Sequence, residues 1–208
     1  MASHRLAARR YRHTRLRAVL AGGLVLGIGA AVTLASWTDT ENANGSFTAS
    51  IFNTESTGAT VNWASNTASP GATLVFAATA MSPSVSHYAA LNVRTTATTN
   101  VAGTVALTSS TPAGTLAAVL EYRAVRTPLA STACNSAAFS GSPTWVAGGA
   151  STWIASNTVP AVPVASAIAA AGGEIRYCFD VRILSTAATS YQGTTGTVTW
   201  LFTATSNS

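Results

Sequence analysis

Two cysteines are the side chains in this sequence whose chemistry is easiest to foresee. Cys134 lies in a segment rich in proline, serine and alanine, and Cys178 lies in the alternating stretch RYCFDV. In an exported protein, an even number of cysteines favours a disulfide over free thiols. We therefore predict a Cys134–Cys178 bridge that fastens a loop-rich segment to the outer face of a β-sheet.

The sequence contains few residues that could form a catalytic site. Beyond residue 36 the sequence holds one histidine, His87, and the carboxylates Glu121, Glu174 and Asp180 are candidates for a triad or a glycosidase pair. Glu121 and Asp180 alternate with apolar residues, which predicts that both lie on solvated strand faces. The sequence contains no nucleophile elbow, no phosphate-binding glycine loop and no metal-ligand spacing. We therefore expect a protein without catalytic activity, metal or cofactor.

Two tryptophans could bind a ligand rather than react with one. Trp145 and Trp153 lie in Thr144–Ile154, which we predict to be a β-hairpin folded at Gly148-Gly149, because glycine tolerates the positive φ of a two-residue turn. Exposed tryptophans on a sheet can stack on sugar rings, which makes polysaccharide one expected partner. Burial beneath the disulfide-fastened segment is the other interpretation, and the sequence favours it.

The first 36 residues have the features of an export signal. Residues 1–17 contain six arginines and no acid, and the next nineteen residues, Ala18–Ser36, carry no charge. A basic segment, an apolar segment and small residues at its end are typical of a signal peptide. We predict a signal peptide over residues 1–36 with cleavage between Ser36 and Trp37, and hence a secreted, extracellular or cell-surface protein. An uncleaved membrane anchor is the alternative, because nineteen apolar residues approach the length of a transmembrane helix.

The positive net charge belongs to this leader. The whole chain has a formal net charge of +5, but five arginines and six acids remain after residue 36, so the rest of the chain is weakly acidic. A nucleic-acid-binding domain would need a basic patch in its folded part. We therefore predict no nucleic-acid partner.

The residues after the leader alternate as β-strands do. Apolar and polar side chains take turns through Glu174–Leu184 and Thr197–Ala204, and abundant threonine with scattered valine and aromatic residues favours strands over helices. We predict an all-β fold, a jelly-roll-like antiparallel β-sandwich with one short helix at Pro163–Ala171. We also predict that the strand around Ala89–Val93 forms a hairpin with Gly103–Ser109.

The stretch that follows the leader resembles that of a known class of exported bacterial proteins. It reads WTDTENANGSFTA over Trp37–Ala49. This pattern is similar to the one found with the SipW-dependent class of signal peptide, as in the TasA and camelysin family. RYCFDV at Arg176–Val181 and the segment from Tyr191 into TVTWLFTATS are similar to the actinobacterial branch of that family, whereas the middle of the chain matches it poorly.

The resemblance implies a jelly-roll-like sandwich that a dedicated signal peptidase cuts from its leader. Some members of this family polymerise into biofilm-matrix fibres by donating their N-terminal strand to the next subunit. The resemblance therefore also implies that the chain itself is a partner.

The residues after the cleavage point fit two arrangements. Residues 37–53 would form an N-terminal arm or first strand ahead of a sandwich domain at 54–208, with Phe47, Ala49 and Ile51 on the apolar face of the arm. Such a segment pairs with a sheet edge, either its own or a neighbour's. We therefore expect an exported surface or matrix protein that forms fibres by donor-strand exchange. The alternative is a monomeric, secreted carbohydrate-binding sandwich.

Overall fold

The computed structural model describes residues 17–20, 46, 48–58, 62–68, 71–76, 80–127 and 133–207. The chain divides into two compact units, Met1–Phe47 and Thr48–Ser208. In the first unit the description covers one exposed helical turn at 17–20 and Ser46. Apart from residues 17–20, the predicted signal peptide lies outside the described residues, and so do its cleavage point at Ser36 and Trp37 and the residue Phe47. Within the described part of the chain, no helix has the length and apolar character needed to cross a membrane.

Nine β-strands form the framework of the described part of the second unit. They are β1 (Thr54–Thr57), β2 (His87–Thr95), β3 (Gly103–Ala113), β4 (Leu120–Thr127), β5 (Thr144–Ala147), β6 (Ile154–Ala155), β7 (Ser166–Ile168), β8 (Glu174–Ile183) and β9 (Thr197–Ser206). Short 3₁₀ helices lie at Leu116–Val119, Ser136–Phe139 and Thr189–Tyr191.

The strands form two antiparallel sheets that pack face to face. Sheet A has the order β1-β2-β8-β4-β5, and β6 also pairs with β4; sheet B has the order β7-β3-β9. The predicted all-β sandwich is confirmed. The two strands predicted from the clearest alternation, β8 and β9, lie in different sheets and begin at the predicted residues.

Alternation along β8 and β9 builds the centre of the core. Tyr177 and Phe179 of β8 are fully buried, and each meets an aromatic ring of β9. The ring centroids of Phe179 and Trp200 are 4.6 Å apart, and those of Tyr177 and Phe202 are 4.5 Å apart. Such aromatic pairs stabilise a core beyond the area that they bury, so these two pairs join the sheets.

The helix predicted at Pro163–Ala171 is wrong. Ser166–Ile168 is strand β7, which pairs with Gly103–Val105 of β3, and Ser166 and Ile168 are both buried. Ala171 then adopts a φ of 52° in the turn that leads to β8. The alanine-rich composition favours a helix only weakly, and pairing at the edge of sheet B overrides it.

The two predicted hairpins are also wrong. β2 and β3 alternate as expected, but β2 lies in sheet A and β3 in sheet B, so the link between them crosses the sandwich. β5 and β6 do not pair with each other; both pair with β4, at 124–126 and at 121–122. They therefore form one edge strand interrupted by residues 148–153.

Gly148 makes this interruption feasible. Its φ is +67°, and a Cβ at this position would lie 2.9 Å from the Cβ of Arg123. The loop closes with a hydrogen bond of 2.8 Å from the N–H of Gly149 to the carbonyl of Thr152. Glycine is therefore required here both for its left-handed backbone and for the close approach of the loop to β4.

Candidate assembly interface

The residues just before β1 pair with the chain's own sheet A. The N–H of Asn100 donates to the carbonyl of Ile51 at 3.0 Å, and the N–H of Ile51 donates to Asn100 Oδ1 at 2.8 Å. The carbonyl of Asn53 accepts from the N–H of Thr96 at 3.0 Å. Ladder pairing with β2 then continues through Thr54–Thr57. From Ile51 onward, the predicted arm thus belongs to its own sandwich.

The side chain that holds this segment to the core is Phe52. It packs against the main hydrophobic core, and its ring covers Gly103, where any Cβ would collide with it. Ile51, by contrast, is 43% exposed, and Ala49 is exposed as well. Of the predicted apolar face of the arm, Phe47, Ala49 and Ile51, the two described members point away from the core of their own chain.

Strand β9 presents a long free edge. It pairs with β3 along one side, and no backbone hydrogen bond from the rest of the described chain reaches its other side. Natural edge strands use charged side chains and proline to prevent pairing with other strands. The segment TVTWLFTATS contains neither. Within the part of the chain that the structure describes, this ten-residue edge is therefore open to an added strand.

The direction of the free hydrogen-bonding groups on β9 follows from its pairing. The N–H of Asn207 donates to the carbonyl of Ala102 at 2.9 Å, so residue 207 bonds toward β3. Because hydrogen bonding alternates along an antiparallel pair, Thr203 and Thr205 also bond toward β3. The N–H and carbonyl groups of Ala204 and Phe202 then point to the free edge.

A cavity lined by both apolar and polar side chains lies beside this edge. Its volume is about 1870 Å³, and it opens between the two sheets next to β9. The side chains that line it include Leu74, Phe76, Leu91, Val93, Trp200 and Phe202. Glu55 is the one charged residue in the described lining. An extended segment with small or apolar side chains could therefore add to β9 and place alternate side chains in this cavity.

The other sheet edges in the described part of the chain are short or covered. Ser56 of β1 exchanges backbone hydrogen bonds with Ala64, at 2.9 and 3.3 Å, on the side away from β2, and its carbonyl also accepts from Asn66 Nδ2. β5 and β6 are interrupted by the loop at Gly148, and β7 has three residues. Among the described strands, β9 is thus the best acceptor.

The predicted disulfide is confirmed. Cys134 and Cys178 are bonded, with their Cα atoms 5.3 Å apart. Cys178 is fully buried with Val125 and Phe139 in a small hydrophobic cluster on the outer face of sheet A. The bridge therefore fastens the segment with the 3₁₀ helix at Ser136–Phe139 onto that face, as the sequence predicts.

The prediction that Glu121 and Asp180 lie on solvated faces is wrong. Asp180 is 0% exposed and Glu121 is 9% exposed. Arg123 Nε donates to Asp180 Oδ2 at 3.0 Å, and Arg182 Nε donates to Glu121 Oε1 at 2.6 Å. Burial raises the pKa of the Asp180 carboxyl above its ordinary value, although hydrogen bonding from Ser86 and Arg123 opposes this change.

The two tryptophans cover these ion pairs. The guanidinium carbon of Arg182 lies 3.8 Å from the ring centroid of Trp153, and that of Arg123 lies 4.5 Å from it. Trp145 packs against Phe139 with centroids 6.1 Å apart. Both tryptophans are half-buried. Much of their surface is therefore committed to cation–π and aromatic contacts within the chain.

The candidate carboxylates Glu121 and Asp180 lie diagonally across neighbouring strands β4 and β8. Asp180 and Glu121 each bind an arginine, and His87 begins β2 opposite Val181. Among the described residues, no group of histidine, cysteine, aspartate and glutamate side chains could hold a metal ion. The strongest feature of the described surface is therefore a strand edge.

Sequence reasoning missed the β9 edge, although one signal for it was present. TVTWLFTATS is a ten-residue segment without charge, and an uncharged strand is poorly protected if it lies at an edge. Comparison with known proteins adds nothing to this geometry: no protein-family model, no curated protein and no solved structure matches the chain.

Proposed function

We propose that this chain is an exported structural protein of the cell surface or extracellular matrix, and that its subunits join into fibres by strand addition at β9. The observation that carries the proposal is the uncharged edge of β9, unpaired within the described chain, beside a partly apolar cavity of about 1870 Å³. An edge of this kind is a template for a strand from another molecule, with main-chain hydrogen bonds supplying affinity and alternate side chains supplying register.

The donated segment in this proposal is residues 37–50 of the neighbouring subunit. Residues from Ile51 onward are held within their own chain, so the part of the arm proposed for donation ends at Ser50. That part includes Phe47 and Ala49, whose spacing of two suits side chains that enter one cavity from one face of a strand.

Two features of the chain support export, which the proposal requires. A Cys134–Cys178 disulfide persists in an oxidising compartment outside the cytosol. The leader over residues 1–36 and the resemblance of Trp37–Ala49 to the SipW-dependent class indicate removal of the leader by a dedicated signal peptidase. Cleavage between Ser36 and Trp37 would release the arm that strand donation needs. No catalytic activity and no cofactor are part of this proposal.

The second candidate function is a monomeric carbohydrate-binding module. Trp145 and Trp153 remain half-exposed on the outer face of sheet A, and a tryptophan whose one face packs within the protein can offer its other side to a sugar. The arginines beneath Trp153 hold its ring in place. In this reading polysaccharide is the partner, and the β9 edge would have no partner strand.

Electron microscopy of the purified exported protein tests the proposal. We expect filaments, and we expect a synthetic peptide of residues 37–50, added in excess, to cap their growth by occupying β9. The matched control is the same peptide with Phe47→Asp, because a charge in a partly apolar cavity costs several kcal/mol without a partner. Filament growth that neither peptide changes would contradict strand donation, and a protein that stays monomeric at all concentrations would contradict assembly.

A further inference from the structure

Charge is distributed unevenly between the two sheets. From Thr48 onward, every arginine, aspartate and glutamate lies in a strand of sheet A. They are Glu55 in β1, Arg94 in β2, Glu121, Arg123 and Arg126 in β4, and Glu174, Arg176, Asp180 and Arg182 in β8. The strands of sheet B, which are β3, β7 and β9, contain none. The sandwich therefore has one charged sheet and one uncharged sheet.

The outer face of sheet B is an array of hydroxyl and methyl groups. The outward residues of β9 are all exposed; they are Thr197, Thr199, Leu201, Thr203 and Thr205. Their partners across the ladder on β3 are Ala113, Thr111, Ser109, Ala106 and Thr104. We call these ten residues the sheet B face. Their short side chains give a flat surface that another flat surface can approach closely.

Leu201 lies near the centre of the sheet B face. It is 55% exposed, and it is the one large apolar side chain among the ten residues of the face. Beside it, the hydroxyl groups of Thr108 and Thr203 lie 2.7 Å apart, so part of the polar surface is already satisfied within the sheet. Removing water from this uncharged surface costs less than removing it from a charged one, and the hydroxyl groups of the face need partners on the facing surface.

We propose that the sheet B face associates with the sheet B face of a second copy of this chain. Pairing through this face would leave both charged sheets in contact with water and would bring no like charges together. In a two-fold contact the same patch is used on both subunits, so Leu201, near the centre, would lie close to Leu201 of the second copy.

The area of the face indicates how strong this contact is. Ten residues of strand extend about 33 Å, and two strands together are about 10 Å wide, which gives roughly 330 Å² for each copy. A stable protein interface buries about 800 Å² for each partner. The contact is therefore weak between two isolated subunits. It becomes strong when many subunits are held in a row, because each further contact is then intramolecular.

Cross-linking of single added cysteines tests the contact without relying on strand donation. The native cysteines are bonded to each other, so Leu201→Cys provides the only free thiol. The control is Val162→Cys at a position that is 79% exposed and lies outside sheet B. Both variants are treated with a short bis-maleimide at high protein concentration, in the presence of excess peptide 37–50 to block strand donation at β9.

We expect Leu201→Cys to form covalent dimers at least tenfold faster than Val162→Cys. Adding Thr203→Lys to Leu201→Cys should remove this excess in cross-linking rate. Thr203→Val should leave the excess in place, since it adds no charge. Thr199→Cys provides a second position on the face if Leu201→Cys is poorly folded. Equal dimer rates for the face and control cysteines would overturn the proposal. So would a rate that falls to the control value when a neutral polysaccharide is added, because the occupant of the face would then be a sugar.

Discussion

Ala204→Pro should block assembly while leaving the subunit folded. The N–H of Ala204 points to the free edge of β9. Proline at this position therefore removes a donor that the incoming strand would use, and it removes no hydrogen bond between β9 and β3. Proline is tolerated on edge strands for this reason, and Ala204 is half-buried with a small side chain. We expect the melting temperature to fall by no more than about 4 °C, which corresponds to about 1 kcal/mol for a domain of this size.

The effect on assembly should be much larger. An incoming strand would lose one hydrogen bond, worth about 1 kcal/mol, and would leave its own carbonyl unpaired at a cost of at least about 1 kcal/mol. A total of about 2 kcal/mol for each interface raises the critical concentration for filament growth about 30-fold, because 1.4 kcal/mol is tenfold in an equilibrium constant. Sedimentation of filaments over a concentration series measures this value directly.

Two control variants show whether the loss of assembly in Ala204→Pro comes from the free edge of β9. Ala204→Ser keeps the N–H and should assemble as the wild-type chain does. Thr203→Pro removes a bond to β3 and should lower the melting temperature by more than Ala204→Pro does, whatever happens to assembly. A folded Ala204→Pro protein with an unchanged critical concentration would refute strand addition at this edge of β9.

Four further outcomes are expected. Replacing Cys134 and Cys178 with alanine removes a cross-link across a sequence separation of 44, which the chain-entropy model values at about 4 kcal/mol, so melting should fall by about 8–16 °C; two titratable thiols in the denatured, unreduced wild type would show that the bridge is absent. Burial raises the pKa of Asp180 above its ordinary value of 3.8, so the native state keeps this proton at pH values where the unfolded chain has lost it. The free energy of unfolding should then fall as the pH rises through this interval, and Asp180→Asn should weaken this dependence on pH. Melting temperatures of the wild type and Asp180→Asn that change with pH in the same way between pH 3 and 7 would contradict this. If the protein binds polysaccharide, a neutral cell-wall or matrix polysaccharide should quench tryptophan fluorescence and Trp153→Ala should abolish the response; a flat signal across a panel removes support for that function. N-terminal sequencing of the exported protein should begin within two residues of Trp37, and an extracellular form that begins at Met1 would refute the cleavage.

Strand formation was predictable where the side-chain pattern has a period of two. β8 and β9 alternate apolar and polar residues along most of their length, interrupted by Cys178 and Leu201, and this pattern predicts one buried face for each strand. The disulfide was predictable from two cysteines in a chain with an export signal. These features depend on local sequence and on composition, which a single sequence contains.

Pairing partners were not predictable in the same way. β2 and β3 have the pattern of a hairpin, but the segment between them is held by Ile51 and Asn53, which precede both strands. Alternation says which side of a strand is buried and does not say which sheet the strand joins. The interruption between β5 and β6 has the same origin, because both strands pair with β4, which lies outside the predicted hairpin.

The candidate site was only partly predictable. The alternating pattern places Asp180 and Glu121 opposite the core, and it cannot reveal that the loop carrying Trp153 folds back over them. It also suggested Ile51 as an inward residue, whereas Phe52 is the one that packs on the core. The choice between those neighbours depends on Gly103, where the absent side chain leaves room for the phenyl ring.

The short and covered edges of the other strands bear on the shape of any polymer. Ala64 and Asn66 bind the outer side of β1, and the loop at Gly148 interrupts the opposite edge of sheet A. In the proposed assembly, a subunit has one acceptor, β9, and one donor, its arm. A unit with two unlike ends has a valence of two, so growth by strand addition is linear and polar. Branching by strand addition would need a second acceptor edge. Pairing through the sheet B face would join such chains side by side without adding an acceptor, so each chain keeps a distinct leading and trailing end however long it becomes.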